Sequence, residues 1–279
     1  MPEITAPDGV TLHFEEWGQP DEPAVVLLHG FTADLRSWMP IIEPLSDDYR
    51  VIALDLRGHG LSSAPADEAA YTMDAFAGDV LHLLDALNIE LCGLVGSSFG
   101  GMIAAQVGVN WPERLAALCI SDASAAYEDS RYAEAYYERE RRIDEMCNVV
   151  AKWGTAHLGK QLAASISDEF LRAATIRRYS RMSSEAFLGS ANVRRNRPNL
   201  LPELQHRLTM PVLVCAGEND HVRSASEVIV SELPSARYVL FRESGHTVPV
   251  HRPDAFVDAL IAFLRDVEDG KPIPGRHEL

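Results

Sequence analysis

Leu91-Cys92-Gly93-Leu94-Val95-Gly96-Ser97-Ser98-Phe99-Gly100-Gly101-Met102-Ile103-Ala104-Ala105 decides the fold. Leu91 to Val95 is a short apolar run, the pattern of a buried parallel strand. Phe99 to Val109 is small and apolar and reads as a helix, stopped near Pro112. Between them stands Gly96-x-Ser98-x-Gly100. A serine on so sharp a strand-to-helix turn takes up a strained backbone, and small residues two positions to either side relieve the crowding. The turn exposes the hydroxyl, and the helix N-terminus behind it points free N–H groups at any negative charge that develops there.

The same rhythm extends outward. Ala24 to Leu28, Val51 to Leu54 and Leu115 to Ile120 are further buried strands, and Val10 to Trp17 alternates weakly as an edge strand after the Asp8-Gly9 turn. Met73 to Leu87 has apolar residues at helical spacing with Thr72 as its cap. From Ala123 to Met210 the pattern is helical, rich in Tyr, Arg and Glu, with no clear strand. Val212 to Ala216 and Tyr238 to Phe241 restore the strands, and Pro253 to Val267 is an amphipathic helix. The tail from Asp269, with two glycines and two prolines, is expected to be loose. The prediction is an α/β fold: a mostly parallel sheet covered on both faces and interrupted by a helical insertion.

Composition narrows the function. The 279 residues carry a formal charge of −16, which disfavours nucleic acid and anionic membrane surfaces as partners. The charge is uneven, because residues 123–210 hold 14 Lys/Arg against 11 Asp/Glu and are basic relative to the remainder. The N-terminal stretch shows no signal-peptide pattern, and no run approaches a membrane span. Cys92, Cys119, Cys147 and Cys215 form no C-x-x-C pair and read as thiols in a reducing cytoplasm, the expected location.

A serine hydroxyl needs a base. His246 follows the last strand in Glu243-Ser244-Gly245-His246, at the sheet edge that the Ser98 turn also faces. His251, bracketed by Pro249 and Pro253, reads as structural. The imidazole in turn needs a carboxylate to fix its tautomer. Asp220, after strand 212–216, is the expected acid; Asp122, which ends the fourth buried strand, is the alternative, and Glu218 is weaker. The backbone N–H groups of Phe99 and Phe31 are the expected oxyanion donors, with the His29 ring buried to hold its loop. Metal-ligand spacing is absent, so neither metal nor cofactor is expected.

His29-Gly30-Phe31, Asp55-Leu56-Arg57-Gly58-His59-Gly60-Leu61-Ser62, Gly96-Ser97-Ser98-Phe99-Gly100-Gly101, Gly217-x-x-Asp220 and Gly245-His246 together resemble the α/β-hydrolase superfamily, in that family's order. The resemblance covers nearly the whole chain except the insertion and the last ten or so residues. It implies a core in two parts, residues 1–122 and 211–279, with a helical cap over residues 123–210. It also implies a loop around Asp55, Arg57 and His59 that buttresses the site. Haloalkane dehalogenases and soluble epoxide hydrolases of the superfamily carry aspartate where this chain has Ser98, so both activities are disfavoured. No proline closely follows the Asp220 turn, unlike many relatives.

The expected activity is that of a cofactor-free serine hydrolase, cleaving a carboxylic ester or lactone through an acyl-enzyme on Ser98. The substrate expected is a medium-sized, partly apolar small molecule, with the basic cap favouring a carboxylate. Trp38, Tyr136, Trp153, Arg194 and Arg195 are candidate substrate-binding residues. Tyr132, Tyr136 and Tyr137, near Arg139, Arg141 and Arg142, either line the chamber or pack the cap on the core. The resemblance leaves other readings open: a C–C bond hydrolase of meta-cleavage type gripping a carboxylate with Arg194 or Arg195, a lyase resembling the menaquinone-pathway synthase, a perhydrolase, and a non-catalytic binding protein. A homo-oligomer stays open. With His246 as base, kcat/KM should rise through an apparent pKa of about 6 to 7.

Overall fold

A computed structural model describes residues 2–279. The strands are β1 Glu3–Thr5, β2 Thr11–Trp17, β3 Ala24–Leu28, β4 Arg50–Leu54, β5 Cys92–Ser97, β6 Leu115–Ser121, β7 Val212–Gly217, β8 Arg237–Phe241 and β9 Gly275–Glu278. They form one nine-stranded sheet in the order β1-β2-β4-β3-β5-β6-β7-β8-β9. β2 pairs antiparallel with both β1 and β4, and every other neighbour pair is parallel. The helices are α1 Met39–Ser46, α2 Met73–Ala86, α3 Phe99–Asn110, α4 Glu134–Trp153, α5 Thr155–Ala163, α6 Glu169–Arg181, α7 Ser184–Asn196, α8 Leu204–Arg207, α9 Arg223–Glu232, α10 Val248–His251 and α11 Pro253–Glu268. Among the described residues no helix is long and apolar enough to cross a membrane.

Both faces of the sheet are buried, which explains the continuous apolar runs. On β7, Val212, Val214 and Ala216 join the core under α2, α3 and α9, while Leu213 and Cys215 join the core under α1 and α11. On β5, Leu94 and Val95 divide the same way. Residues that alternate between two apolar layers leave no polar beat in the sequence. Thr72 caps α2 as expected, its hydroxyl accepting from the Ala75 N–H at 3.0 Å. Cys92, Cys119 and Cys215 are buried thiols, whereas Cys147 on α4 is half-buried.

Two strands were not expected. β1 pairs with the outer edge of β2. The tail beyond Asp269 is not loose: β9 runs parallel to β8 from Arg237↔Gly275 to Leu240↔Glu278. Ile273 is buried, and the Leu279 N–H donates to the Leu240 carbonyl at 2.9 Å. A strand at the sheet edge has free backbone donors and acceptors to satisfy, and the tail supplies them whatever its side chains.

The parallel strands deliver their C-terminal ends to one edge. Six non-glycine residues have positive φ, and Thr32, Ser98, Asp122, Glu243 and Thr247 all follow strands there, with only Asn88 elsewhere. Strain concentrated at one rim marks the place where the fold holds side chains against their preference.

Glycine is required where α3 meets β3. A Cβ on Gly100 would stand 2.1 Å from the Leu28 carbonyl oxygen, and main chain on both sides cannot yield cheaply. Gly100→Ala should therefore lower stability by about 1–3 kcal/mol or more. Gly78 on α2 has nothing within 4 Å of such a Cβ, so Gly78→Ala should stabilise by about 0.5–1 kcal/mol. Urea unfolding of both variants checks the pair, and equal midpoints would refute the argument.

Candidate active site

Ser98 sits between β5 and α3 with φ 56° and ψ −113°. Gly96 and Gly100 permit that turn, because a Cβ on Gly96 would meet the Gly100 carbonyl oxygen at 2.2 Å. The conformation presents Oγ at the head of α3, 2.8 Å from His246 Nε2. The His246 Nδ1–H donates to both carboxylate oxygens of Asp220, each at 3.0 Å.

The loops bearing the acid and the histidine are locked together. The Asn219 N–H donates to the Ser244 carbonyl at 2.8 Å, and the Glu218 N–H to the Phe241 carbonyl at 2.9 Å. A Cβ on Gly217 would stand 2.3 Å from the Gly245 carbonyl oxygen, so this close approach also requires glycine.

Burial would raise Asp220, but the hydrogen bond and charge of His246 and the Val222 N–H outweigh it and hold the carboxyl below its ordinary range. Burial lowers His246; Asp220 opposes that shift, and the guanidinium of Arg139 adds to it. Asp122 lies beside this pair but does not touch the imidazole. Its carboxyl is fully buried and accepts from Ser121 Oγ at 2.7 Å, the Val248 N–H at 2.9 Å and the Gly217 N–H at 3.3 Å. Burial, with Asp220 nearby, pushes Asp122 well above the usual carboxylate range. Asp122, Asp220 and His246 also make a donor cluster of a size that suits a cation, with ligand atoms within 4.8 Å of one another. Those atoms are already committed to the hydrogen bonds described. A cation would have to break that network, so the set does not fit a metal centre.

Phe99 is the first residue of α3, where a backbone N–H has no partner within the helix. The Phe31 loop comes equally close, since a Cβ on Gly30 would lie 3.8 Å from Ser98 Oγ. His29 is buried and holds that loop: its Nδ1–H donates to the Gly30 carbonyl at 2.8 Å, and its Nε2 accepts from the Leu56 N–H at 3.1 Å. Behind it, Asp55 accepts from Leu35 N, Leu61 N and His13 Nδ1, and Arg57 grips Asp79 with two 2.6 Å bonds. Glu218 lies away from His246, accepting from the Glu243 N–H and paired with Arg242. His251 stands exposed at the pocket rim rather than packed.

A cavity of about 530 Å³ opens over Ser98 and His246. Phe31 and Trp38 line it, with Ile143 and Met146 from α4. The other candidate binding residues lie elsewhere. Tyr136 is fully buried below the cavity, its hydroxyl taking a hydrogen bond from Arg197 at 3.1 Å. Trp153 is 60% exposed on the outer surface, beside Lys152 and His157. Arg194 is buried and spends itself on Glu140, at 2.6 and 2.9 Å. Arg195 pairs with Asp144 on the outside. Helical phase is the reason: α7 turns Arg194 toward α4 and Arg195 toward solvent. The guanidinium groups that face the cavity are instead Arg139 and Arg142 of α4 and Arg178 of α6. A signal for α4 was present, since residues 139, 142, 143 and 146 share one helical face. Arg178 had none.

The chain matches the family model described as alpha/beta hydrolase fold over residues 23–253. It is 29% identical to 3-oxoadipate enol-lactonase 2 of Acinetobacter baylyi, with 94% of this chain and 96% of that protein covered. It is 27% identical to mouse epoxide hydrolase 4, over 92% of this chain and 77% of that one. Among solved structures, a thermophilic esterase from Thermogutta terrifontis superposes with a TM-score of 0.79 at 26% identity, covering 96% and 99% of the two chains. With the sheet order, the strained serine turn and a match across most of its length, the chain belongs to the α/β hydrolase fold family.

Proposed function

We propose that this protein is a serine hydrolase of carboxylic esters or lactones, working through an acyl-enzyme on Ser98. The carrying observation is the unbroken hydrogen-bond chain from Ser98 Oγ through His246 to Asp220. Neutral His246 accepts the Ser98 proton as Oγ attacks the carbonyl carbon. Asp220 keeps the Nδ1–H tautomer in place and stabilises the imidazolium that forms. The Phe31 and Phe99 amides hold the oxyanion, where preorganised donors act most strongly. His246 then protonates the leaving oxygen, and the same histidine activates water to release the acid.

Helices α4–α7 form the cap in this reading, and the cavity beneath them sets the size of a small, partly apolar substrate. The likeness to the enol-lactonase and to the thermophilic esterase supports the ester or lactone bond. Likeness to an epoxide hydrolase does not carry over in the same way. Epoxide opening by the superfamily resemblance calls for aspartate at the nucleophile position, which Ser98 occupies.

Hydrolysis of a panel of p-nitrophenyl esters and simple lactones should vanish in Ser98→Ala. Asp220→Asn should lose about 10⁴-fold in kcat, because the amide favours the wrong tautomer. Asp122→Asn should lose far less than Asp220→Asn, since the Asp122 carboxyl makes its hydrogen bonds to Ser121, Gly217 and Val248 and none to the imidazole. A crippled Asp122→Asn beside an active Asp220→Asn would move the acid to Asp122.

The pH profile follows from the sign of the His246 shift. The base works only when neutral, so kcat/KM falls as pH drops through its pKa. Burial lowers that pKa, which places the acid limb below the ordinary histidine value of 6.5. Rate measurements from pH 4.5 to 8 test this, and a limb centred above 7 would contradict it.

A further inference from the structure

The base in this site is doubly occupied. His246 Nε2 receives the Ser98 hydroxyl at 2.8 Å and an N–H of Arg139 at 3.1 Å. A neutral imidazole with its proton on Nδ1 has one lone pair, on Nε2, so the two donors compete for it. The guanidinium also opposes the imidazolium that must form when Ser98 gives up its proton. In this position Arg139 restrains the chemistry of the serine.

Arg139 is held there loosely. Its one ion pair is with Glu140 at 3.0 Å, and Glu140 is already bound by Arg194 through both carboxylate oxygens. Asp220 is near but directs its carboxylate at His246. The cavity beyond is cationic: Arg139, Arg142 and Arg178 line it, and no Asp or Glu does. Among the described residues neither Arg142 nor Arg178 forms an ion pair that would neutralise it in place. An anion entering this cavity meets three guanidinium groups, one of which covers the base.

We propose that Arg139 gates His246, and that a carboxylate on the substrate opens the gate by drawing the Arg139 guanidinium off Nε2 into a charge-assisted pair of its own. The substrate class is thus an ester or lactone that carries an anionic group in its acyl part. A neutral ester leaves the arginine on the base and reacts slowly. This rests on the serine-hydrolase reading above and adds to it a specificity-determining residue.

The test crosses one substitution with two substrates. Wild type and Arg139→Gln are assayed with p-nitrophenyl acetate and with the mono-p-nitrophenyl ester of glutaric acid. On the neutral ester, Arg139→Gln should raise kcat/KM by about tenfold, the worth of one hydrogen bond to a charged group. On the anionic ester it should lower kcat/KM by a similar factor. An unchanged or reduced rate on the neutral ester overturns the gate.

The rate at which a neutral fluorophosphonate labels Ser98, followed by mass spectrometry, gives a second readout that needs no turnover. Arg139→Gln should speed it. On the unmodified protein, acetate at constant ionic strength should speed it too, and acetate that leaves it unchanged or slows it counts against the gate. Ser98→Ala separates the two ideas. Activity or labelling that survives in Ser98→Ala refutes the serine mechanism, whereas loss there with no gain in Arg139→Gln refutes only the gate.

Discussion

The site depends on how closely the head of α3 approaches β3. Gly100 lies against the Leu28 carbonyl and Gly96 against the Gly100 carbonyl, so the chain leaves β5 and enters α3 with no room for side chains two positions to either side of Ser98. That crowding fixes the serine at φ 56°, a conformation L-residues seldom adopt. From it follow the place of Oγ at the head of α3 and its reach to His246. The strain costs of order 1–3 kcal/mol, and two apolar layers packed on the sheet offset it.

Two carboxyls at neighbouring strand ends meet different fates, and the difference decides which can serve the histidine. Asp122 is wrapped by two backbone N–H groups and a serine hydroxyl, with no cation in contact. Asp220 faces an imidazole that becomes cationic during the proposed reaction. Two full charges so close in a dry site repel strongly, which pushes Asp122 upward while the hydrogen bond and charge of His246 hold Asp220 down. Asp122 acts as a clamp, joining the end of β6 to the starts of both the Asp220 turn and α10.

The core was legible because its pattern is forced. Strands buried on both faces read as apolar runs, and the Ser98 turn, the Asp220 turn and His246 each follow such a run, so topology alone brings them to one edge. The edge strands were not legible. β1 and β9 are short, mostly exposed and polar, and they form because neighbouring edges have backbone groups to satisfy. The cap resisted for a further reason. Its helices face three surroundings, the core, the cavity and water, and an arginine is compatible with all of them. Arg194 is buried against Glu140, Arg195 is solvated with Asp144, and Arg178 faces the cavity, although all three read alike in the sequence.

The uneven charge acquires a meaning only when each arginine is placed. Residues 123–210 are basic relative to a strongly acidic remainder, which by itself describes a solvated surface. On the outer face some of the positive groups are neutralised locally, as Arg131 is by Asp129 and Glu232 and Arg141 by Glu134. Such exposed pairs contribute little to stability. Arg142 of α4 and Arg178 of α6 carry no ion pair and border the cavity over Ser98, whose walls are otherwise partly apolar. Charge walled by low-dielectric surface acts over a longer range than charge in open water, and the acidic exterior repels the same anions that the cavity attracts. Under the proposed gate, an anionic ligand is repelled by most of this molecule's surface and drawn to the cavity where its charge acts on the base.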